Sequence, residues 1–395
     1  MNDNLDPRSL YGEEALPDGI TISFGSKSLK FPLNQDDVAK FSELVESCVP
    51  SAFGMNERAV IDPSYRNCKE LKPNNFTISN NYHEILPKIM AQAASVLESP
   101  KTIYASLNKL CVYETHGFFK EHVDTPQPNI FASLVVCLPT NYEGGMLIVE
   151  ENAYDLSSSG SIKWCAFYSD CRHKIDEVTK GFRVTLTYDL LYLDTPNPIP
   201  YHDRLYKTLE SSLLEFHAKH NVDPALAANQ KPKFVIGIPL ASKYPSLKGD
   251  GSKPTLKGRD LKTLTILRDL GYTTDVKAVY NVKVRGTYID HCFHQAYPSF
   301  EGIGDVYEEV ELTEDLEYEN VYVVSDAWHG FSDEVNEECG EFPILALYDN
   351  GGRCLKNLYW LWEPTCHHAG PTYIAYGNQP SAGTVYMDGC ILAYK

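Results

Sequence analysis

Three side chains in the middle of the chain have the chemistry of a metal site: His122 and Asp124, separated by Val123, and the distant His173. On an extended backbone, residues one apart project to the same face, which would present an imidazole nitrogen and a carboxylate oxygen together. With a second imidazole they form a two-histidine, one-carboxylate set, which holds a divalent metal at one face and leaves its other positions open. Beyond His173 comes Arg183, followed at alternate positions by Thr185 and Thr187, with Val184, Leu186 and Tyr188 between them. That alternation predicts a strand with one polar face toward a pocket and one packed face. A guanidinium fork with a hydroxyl beside it is a receptor for a carboxylate.

Each feature alone has a plainer reading. An HxD pair arises by chance at solvated strand ends, and His173, inside Cys171-Arg172-His173-Lys174, is equally suited to a polar loop or a satisfied core position. Arg183 has Asp176 and Glu177 nearby as ordinary ion-pair partners, Thr185 and Tyr113 need no role beyond a strand, and His116 reads as a loop residue. The order and spacing of His122, Asp124, His173 and Arg183 as a set favour the site.

The elements that must position these residues are short strands. Residues 107–113, 131–138, 146–150, 162–168 and 184–193 are rich in β-branched and aromatic types and are separated by Gly, Pro, Asn and Ser. Their spacing predicts a sandwich or barrel rather than alternating strands and helices. Gly144-Gly145 supplies a tight connection where a strand meets the pocket. Two amphipathic helices are predicted upstream. One covers 34–49, with Val38, Phe41, Leu44, Val45 and Cys48 at helical spacing and Asn34 or Asp36 available as a cap. The other covers 82–97, with Ile85, Ile89 and Ala93 on one face and Pro87 near the first turn, where a missing N–H is tolerated. Such helices would pack on an outer face of the barrel.

The 395-residue length exceeds a typical single domain. The divisions expected are a flexible N-terminal region at 1–33 opening into a hairpin-like start, a catalytic domain at 34–195, a helix and linker at 196–232 and a β-rich C-terminal domain at 233–395. The proline-rich stretch 195–200 marks the boundary. A net charge of −18 argues against broad nucleic-acid binding. No apolar run reaches membrane-spanning length, and the acidic first residues lack a signal-peptide core, so a soluble cytoplasmic or nuclear protein is expected. The eleven cysteines are scattered without a CxxC pair to suggest a disulfide lattice or zinc knuckle, and most are expected to be small buried hydrophobes.

The segment Tyr113-Glu114-Thr115-His116-Gly117-Phe118-Phe119-Lys120-Glu121-His122-Val123-Asp124, then Gly144-Gly145, then His173 and Gly181-Phe182-Arg183-Val184-Thr185, resembles the iron(II)/2-oxoglutarate-dependent dioxygenases, in their prolyl 4-hydroxylase-like branch. The resemblance is close over 107–191 and extends in outline over 40–193. It implies a mainly β fold with flanking helices, a double-stranded β-helix (jelly roll) joined to a second β-rich domain. It further implies that His122, Asp124 and His173 bind Fe(II) and that Arg183 pairs with the distal carboxylate of 2-oxoglutarate, with Thr185 or Tyr113 as an additional donor. The reaction implied is oxidative decarboxylation of 2-oxoglutarate by O2 coupled to hydroxylation of a prime substrate, with ascorbate in a supporting role. Many collagen-type prolyl hydroxylases carry Lys where this chain has Arg183, so the resemblance is to the Arg-using branches.

The prime substrate is left open between a protein residue, of the prolyl type, and a small molecule. A catalytically silent jelly-roll binding module is the reading from a different class. In the second half, helices are predicted at 204–217 and 257–271 and strands at 234–238, 276–284, 306–312, 321–325, 342–348, 358–362, 373–376 and 391–394. Asp290-His291 with His294, and His367-His368, do not repeat the spacing of the first site, so this domain is expected to be non-catalytic, a degenerate second jelly roll being one form it could take. Residues 301–320 hold nine acids and no Lys or Arg, a solvated loop or a docking site for a basic protein partner.

Overall fold

The computed structural model describes residues 8–16, 18–33, 37–55, 58–79, 81–97, 101–125, 130–196, 199, 203–219, 235–245, 254–285, 307–308, 317–325, 354–355, 358–362, 376–377 and 386–394. The chain divides into two compact units, 1–197 with 374–383 and 198–373 with 384–395. The protein is mainly β with flanking helices.

Eight strands of the first unit form its barrel: β1 (Lys101–Tyr113), β2 (Phe118–His122), β3 (Ile130–Cys137), β4 (Leu147–Val149), β5 (Asn152–Tyr154), β6 (Ser161–Tyr168), β7 (His173–Ile175) and β8 (Arg183–Pro196). They lie in two antiparallel sheets, ordered β6-β3-β8-β1 in the larger and β5-β4-β7-β2 in the smaller. Along most of the barrel the chain crosses from one sheet to the other between consecutive strands. That interleaving is the topology of a double-stranded β-helix. One apolar core takes residues from both sheets, among them Trp164, Val136, Leu134 and Leu186 from the larger and Phe119, Leu147 and Val149 from the smaller. Side chains alternate as the sequence predicts. Val184 and Leu186 of β8 are fully buried in this core, while Arg183, Thr185 and Thr187 line a pocket.

Further strands widen both sheets. Lys69–Leu71 and then Val49–Pro50 continue beyond β1, and Arg66–Asn67 adds to β2. At the opposite edge, Ser9–Ala15 pairs antiparallel with β6 along its whole length. The flexible region expected over 1–33 is thereby corrected for its described part. The hairpin Ile20–Phe24 with Lys27–Phe31 also forms, with Ile20, Ile22, Leu29 and Phe31 buried. The pairing of Ser9–Ala15 was invisible in sequence because its partner lies about 150 residues away and the strand is half exposed.

Helices α1 (Val38–Ser47) and α2 (Tyr82–Val96) form where the apolar spacing places them. α1 buries Phe41, Leu44 and Val45, and its N-cap is Asp37, which makes no side-chain cap bond, rather than Asn34 or Asp36. α2 buries Ile85, Ile89 and Ala93 against Ser9–Ala15 and β1, and each such side chain contributes about 1.5–3 kcal/mol when fully buried. Pro87 lies deeper than the first turn, inside the helix, so its missing N–H removes a bond to the carbonyl of His83. Packing of the apolar face compensates, and Tyr188 of β8 ties the helix to the sheet by donating a hydrogen bond to the Tyr82 hydroxyl at 2.9 Å.

In the second unit, α3 (Arg204–Lys219) and α4 (Gly258–Asp269) share an apolar cluster with a five-stranded sheet, ordered Glu317–Ser325, Thr273–Arg285, Gly389–Tyr394, Val235–Pro239, Leu358–Trp360. Asp203 caps α3 by accepting from the Leu205 N–H at 2.8 Å. Asp260 is buried and accepts from the Ala241 and Ser242 N–H groups and the Tyr244 hydroxyl, a structural tie between α4 and the loop before it. His291, His294, His367 and His368 and the predicted strand 342–348 lie outside the described residues, as does most of 301–320. No helix among the described residues is long and apolar enough to cross a membrane. The seven cysteines described are all free and buried.

Candidate metal and carboxylate site

Strand pairing brings the two histidines together. His122 is the last residue of β2 and His173 the first of β7, and the two are direct cross-strand partners with ring centroids 4.2 Å apart. Asp124 lies just past the end of β2, so the pair is not carried on one continuous strand as the HxD spacing suggests. The turn out of β2 still delivers its carboxylate, with Oδ1 at 3.7 Å from His173 Nε2. One candidate donor atom from each of His122, Asp124 and His173 lies within 4.8 Å of the others, and all three residues are buried. Among the described residues this is the one such cluster found.

The three candidate donors are held in orientations that suit a metal ion. Nδ1 of His122 lies 2.9 Å from the Lys120 carbonyl and Nδ1 of His173 lies 3.0 Å from the Cys171 carbonyl. Each carbonyl can only accept, so each Nδ1 carries the proton and each Nε2 presents a lone pair, the tautomer that a metal needs. Burial, and then the neighbouring His173, push His122 well below the ordinary histidine range and keep it neutral. Asp124 Oδ2 accepts a hydrogen bond from the Ser133 hydroxyl of β3. Phe119 stacks on His122 at 3.6 Å and Phe167 lies 4.6 Å from His173, fixing both ring planes. Two neutral imidazoles and one carboxylate fit Fe(II) and similar divalent ions. Ser133→Ala is expected to weaken metal affinity about tenfold or more by releasing the carboxylate. A manganese(II) titration of the variant checks this, with an unshifted thermal transition showing that the fold is intact.

The other end of the pocket is cationic. Arg183 opens β8 opposite Tyr113 of β1, is fully buried, and stands with its guanidinium 5.3 Å from the Tyr113 ring centroid. Among the described residues none of its three nitrogens has a hydrogen-bond partner. The plain ion-pair reading fails here, since Glu177 is engaged by His116 at 2.6 Å and Asp176 by Lys174 at 2.9 Å. His116 is exposed and stands apart from the metal cluster. A buried guanidinium without acceptors costs several kcal/mol, and a carboxylate ligand would remove that cost. Thr185 follows on the same face of β8, also buried, opposite Cys111.

Two glycines near Arg183 leave little room for a side chain. At Gly145 a Cβ would stand 3.2 Å from Arg183 Cδ, so any side chain there would crowd the arginine stem. Gly181 has φ +80, and a Cβ would lie 2.2 Å from the Asn141 carbonyl oxygen. Gly181→Ala is expected to destabilise the protein by about 1–3 kcal/mol or more through left-handed strain and backbone overlap, read as a lowered denaturation midpoint.

The two ends share one pocket, part of it open to solvent, lined by Tyr113, His122, Asp124, His173, Arg183 and Thr185 among others. All six residues singled out in the sequence therefore line it. Sequence reading missed Ser133, Arg66 and Phe119, which also line it. Ser133 carried a signal, as the one polar residue between Phe131 and Leu138. Arg66, in a stretch without periodicity, carried none.

No family model matches the chain, and no curated protein matches it in sequence. Solved structures do. A Pseudomonas putida prolyl-4-hydroxylase matches at 14% identity and TM-score 0.28, covering 44% of this chain and 93% of that one. A prolyl hydroxylase from Trichoplax adhaerens, in complex with a hypoxia inducible factor oxygen degradation domain peptide fragment, matches at 15% identity and TM-score 0.29, covering 45% and 84%. A viral collagen prolyl hydroxylase from Paramecium Bursaria Chlorella virus-1, in a 2OG complex, matches at 12% identity and TM-score 0.26, covering 32% and 79%.

Proposed function

We propose that the protein is an iron(II)- and 2-oxoglutarate-dependent dioxygenase that hydroxylates a prime substrate. The observation that carries this reading is the fully buried Arg183 guanidinium, with no hydrogen-bond partner among the described residues, in the pocket that also contains the His122, Asp124 and His173 donors. A metal site alone suits many functions. A metal site and an unsatisfied cation in one pocket suit a short dicarboxylate whose 2-oxo acid end chelates and whose far carboxylate pairs.

In this reading His122 and His173 offer Nε2 and Asp124 offers Oδ1, while Ser133 and the two backbone carbonyls hold their orientations. Arg183 binds the distal carboxylate by a charge-assisted fork, assisted by Thr185 or Tyr113, which fixes how deeply the co-substrate enters. Phe119 and Phe167 cover the flanks of the imidazoles and keep water from them. Bound there, iron(II) supplies the redox chemistry by which O2 converts 2-oxoglutarate to succinate and CO2 and hydroxylates the prime substrate. Ascorbate would serve to keep the metal reduced. The chemistry is assigned to 34–195 together with the Ser9–Ala15 strand, and 233–395 is assigned a non-catalytic role.

Succinate release measured with iron(II), 2-oxoglutarate and air, against pools of peptides and of small metabolites, tests the reading. Iron-dependent succinate release stimulated by one pool supports it and names the substrate class. Absence of iron-dependent release with either pool contradicts it, and metal binding without turnover favours a silent binding module.

A further inference from the structure

A second buried arginine lines the same pocket. Arg66 lies on the strand Arg66–Asn67, where pairing with β2 sets it opposite Phe119, and it is 6% exposed. Among the described residues its Nη1 donates to the Ala52 carbonyl at 2.9 Å, its Nη2 has a long contact to Cys111 Sγ at 3.7 Å, and its Nε has no partner. No described carboxylate hydrogen-bonds to it. The nearby acid Glu70 is engaged by Ser51 and by Lys109.

The direction in which Arg66 faces decides its role. Its guanidinium lies over the Phe119 ring at 4.3 Å, and His122 stacks on Phe119 at 3.6 Å. Both cannot occupy one face of the ring, so Phe119 separates Arg66 from the metal donors. On its own side, Arg66 touches Cys111, the direct β1 partner of Thr185 and two residues from Tyr113, the partner of Arg183. Two buried guanidiniums with four unsatisfied nitrogens between them therefore line the pocket at the Thr185 end, away from the metal donors.

We infer that Arg66 is a second carboxylate-binding residue, which with Arg183 clamps the distal carboxylate of the co-substrate. This rests on the proposed co-substrate and adds a residue to its binding. A carboxylate has acceptor sites for two arginines, and buried guanidiniums with unsatisfied N–H groups lining one pocket are stabilised when an anion accepts from them. Arg66 also has a structural part, through Ala52 and Phe119, so the test must separate packing from binding.

The test uses the full chain loaded with manganese(II), which occupies the site without turnover. 2-Oxoglutarate and 2-oxopentanoate are titrated by calorimetry. The two share the chelating end, but the second has a methyl group in place of the distal carboxylate. Wild type is expected to prefer 2-oxoglutarate strongly. Arg66→Gln is expected to lose about tenfold or more in affinity for 2-oxoglutarate, with 2-oxopentanoate changed by less than about twofold. Unchanged 2-oxoglutarate affinity, or equal weakening of both acids, overturns the inference and leaves Arg66 as packing. A wild type that does not distinguish the two acids overturns the co-substrate reading itself, and this inference with it. If Arg66→Gln does not fold, wild type labelled with ¹⁵N-arginine answers the question. Two buried Nε–H signals, one of them lost in Arg183→Gln, should both move on adding 2-oxoglutarate, and movement of the Arg183 signal alone overturns the inference.

Discussion

Replacing His122 or Asp124 by alanine is expected to reduce turnover by more than about 100-fold and to remove stoichiometric metal binding. The estimate follows from the site's construction. Losing an outer partner such as Ser133 typically costs 10–100-fold, and loss of a direct donor exceeds that. Among the described residues one carboxylate sits with the two imidazoles, so Asp124→Ala leaves a neutral pair that holds a dication weakly. His122→Ala additionally removes the ring stacked on Phe119 and the cross-strand partner of His173. Metal content after dialysis, succinate release and a thermal melt on each variant check the expectation. Retained metal with lost turnover would move the metal elsewhere, and retained turnover would remove these residues from the site.

Arg183→Met is expected to act in opposite directions on binding and on stability. A charge-assisted hydrogen bond contributes about 1.5–3 kcal/mol, so loss of a two-pronged contact should weaken 2-oxoglutarate by about 100-fold or more. The ligand-free protein should become more stable, by about 1–3 kcal/mol, because a buried guanidinium with no partner is replaced by an apolar side chain of similar length. Chemical denaturation without 2-oxoglutarate reads the gain. Saturating 2-oxoglutarate should reverse the ranking, since only the wild type would be stabilised by ligand. An ordinary structural arginine would give the opposite pattern, with stability lost in the variant whether ligand is present or not. The prediction therefore separates a site kept strained for binding from a residue kept for packing.

How much of this was legible beforehand depends on whether the signal was local. The polar positions 183, 185 and 187 alternating with buried 184 and 186 were visible because strand periodicity is written into adjacent residues. The apolar stripes of α1 and α2 were visible for the same reason. Asp124 was found by its spacing from His122, yet the continuous strand assumed for the pair ends at His122, and β2 itself, Phe118–His122, was not predicted. Its partners, His173–Ile175 and Arg66–Asn67, lie about 50 residues away on either side, and such pairings leave no local pattern. Arg66 carries no local signal for that reason, and Pro87 lies deeper in α2 than its chemistry suggests because packing outweighs the lost hydrogen bond. The metal and co-substrate proposed come from the resemblance over 107–191, since no periodicity contains them.

The central claim is that one pocket holds a metal at one end and a carboxylate at the other. Calorimetric titration of 2-oxoglutarate into the manganese-loaded wild type tests it most directly, repeated after metal removal by chelation and again with Arg183→Met. The account predicts one equivalent bound by the loaded protein, with affinity falling sharply in both of the other cases. Equal affinity with and without metal, or no binding by the loaded wild type, would contradict it.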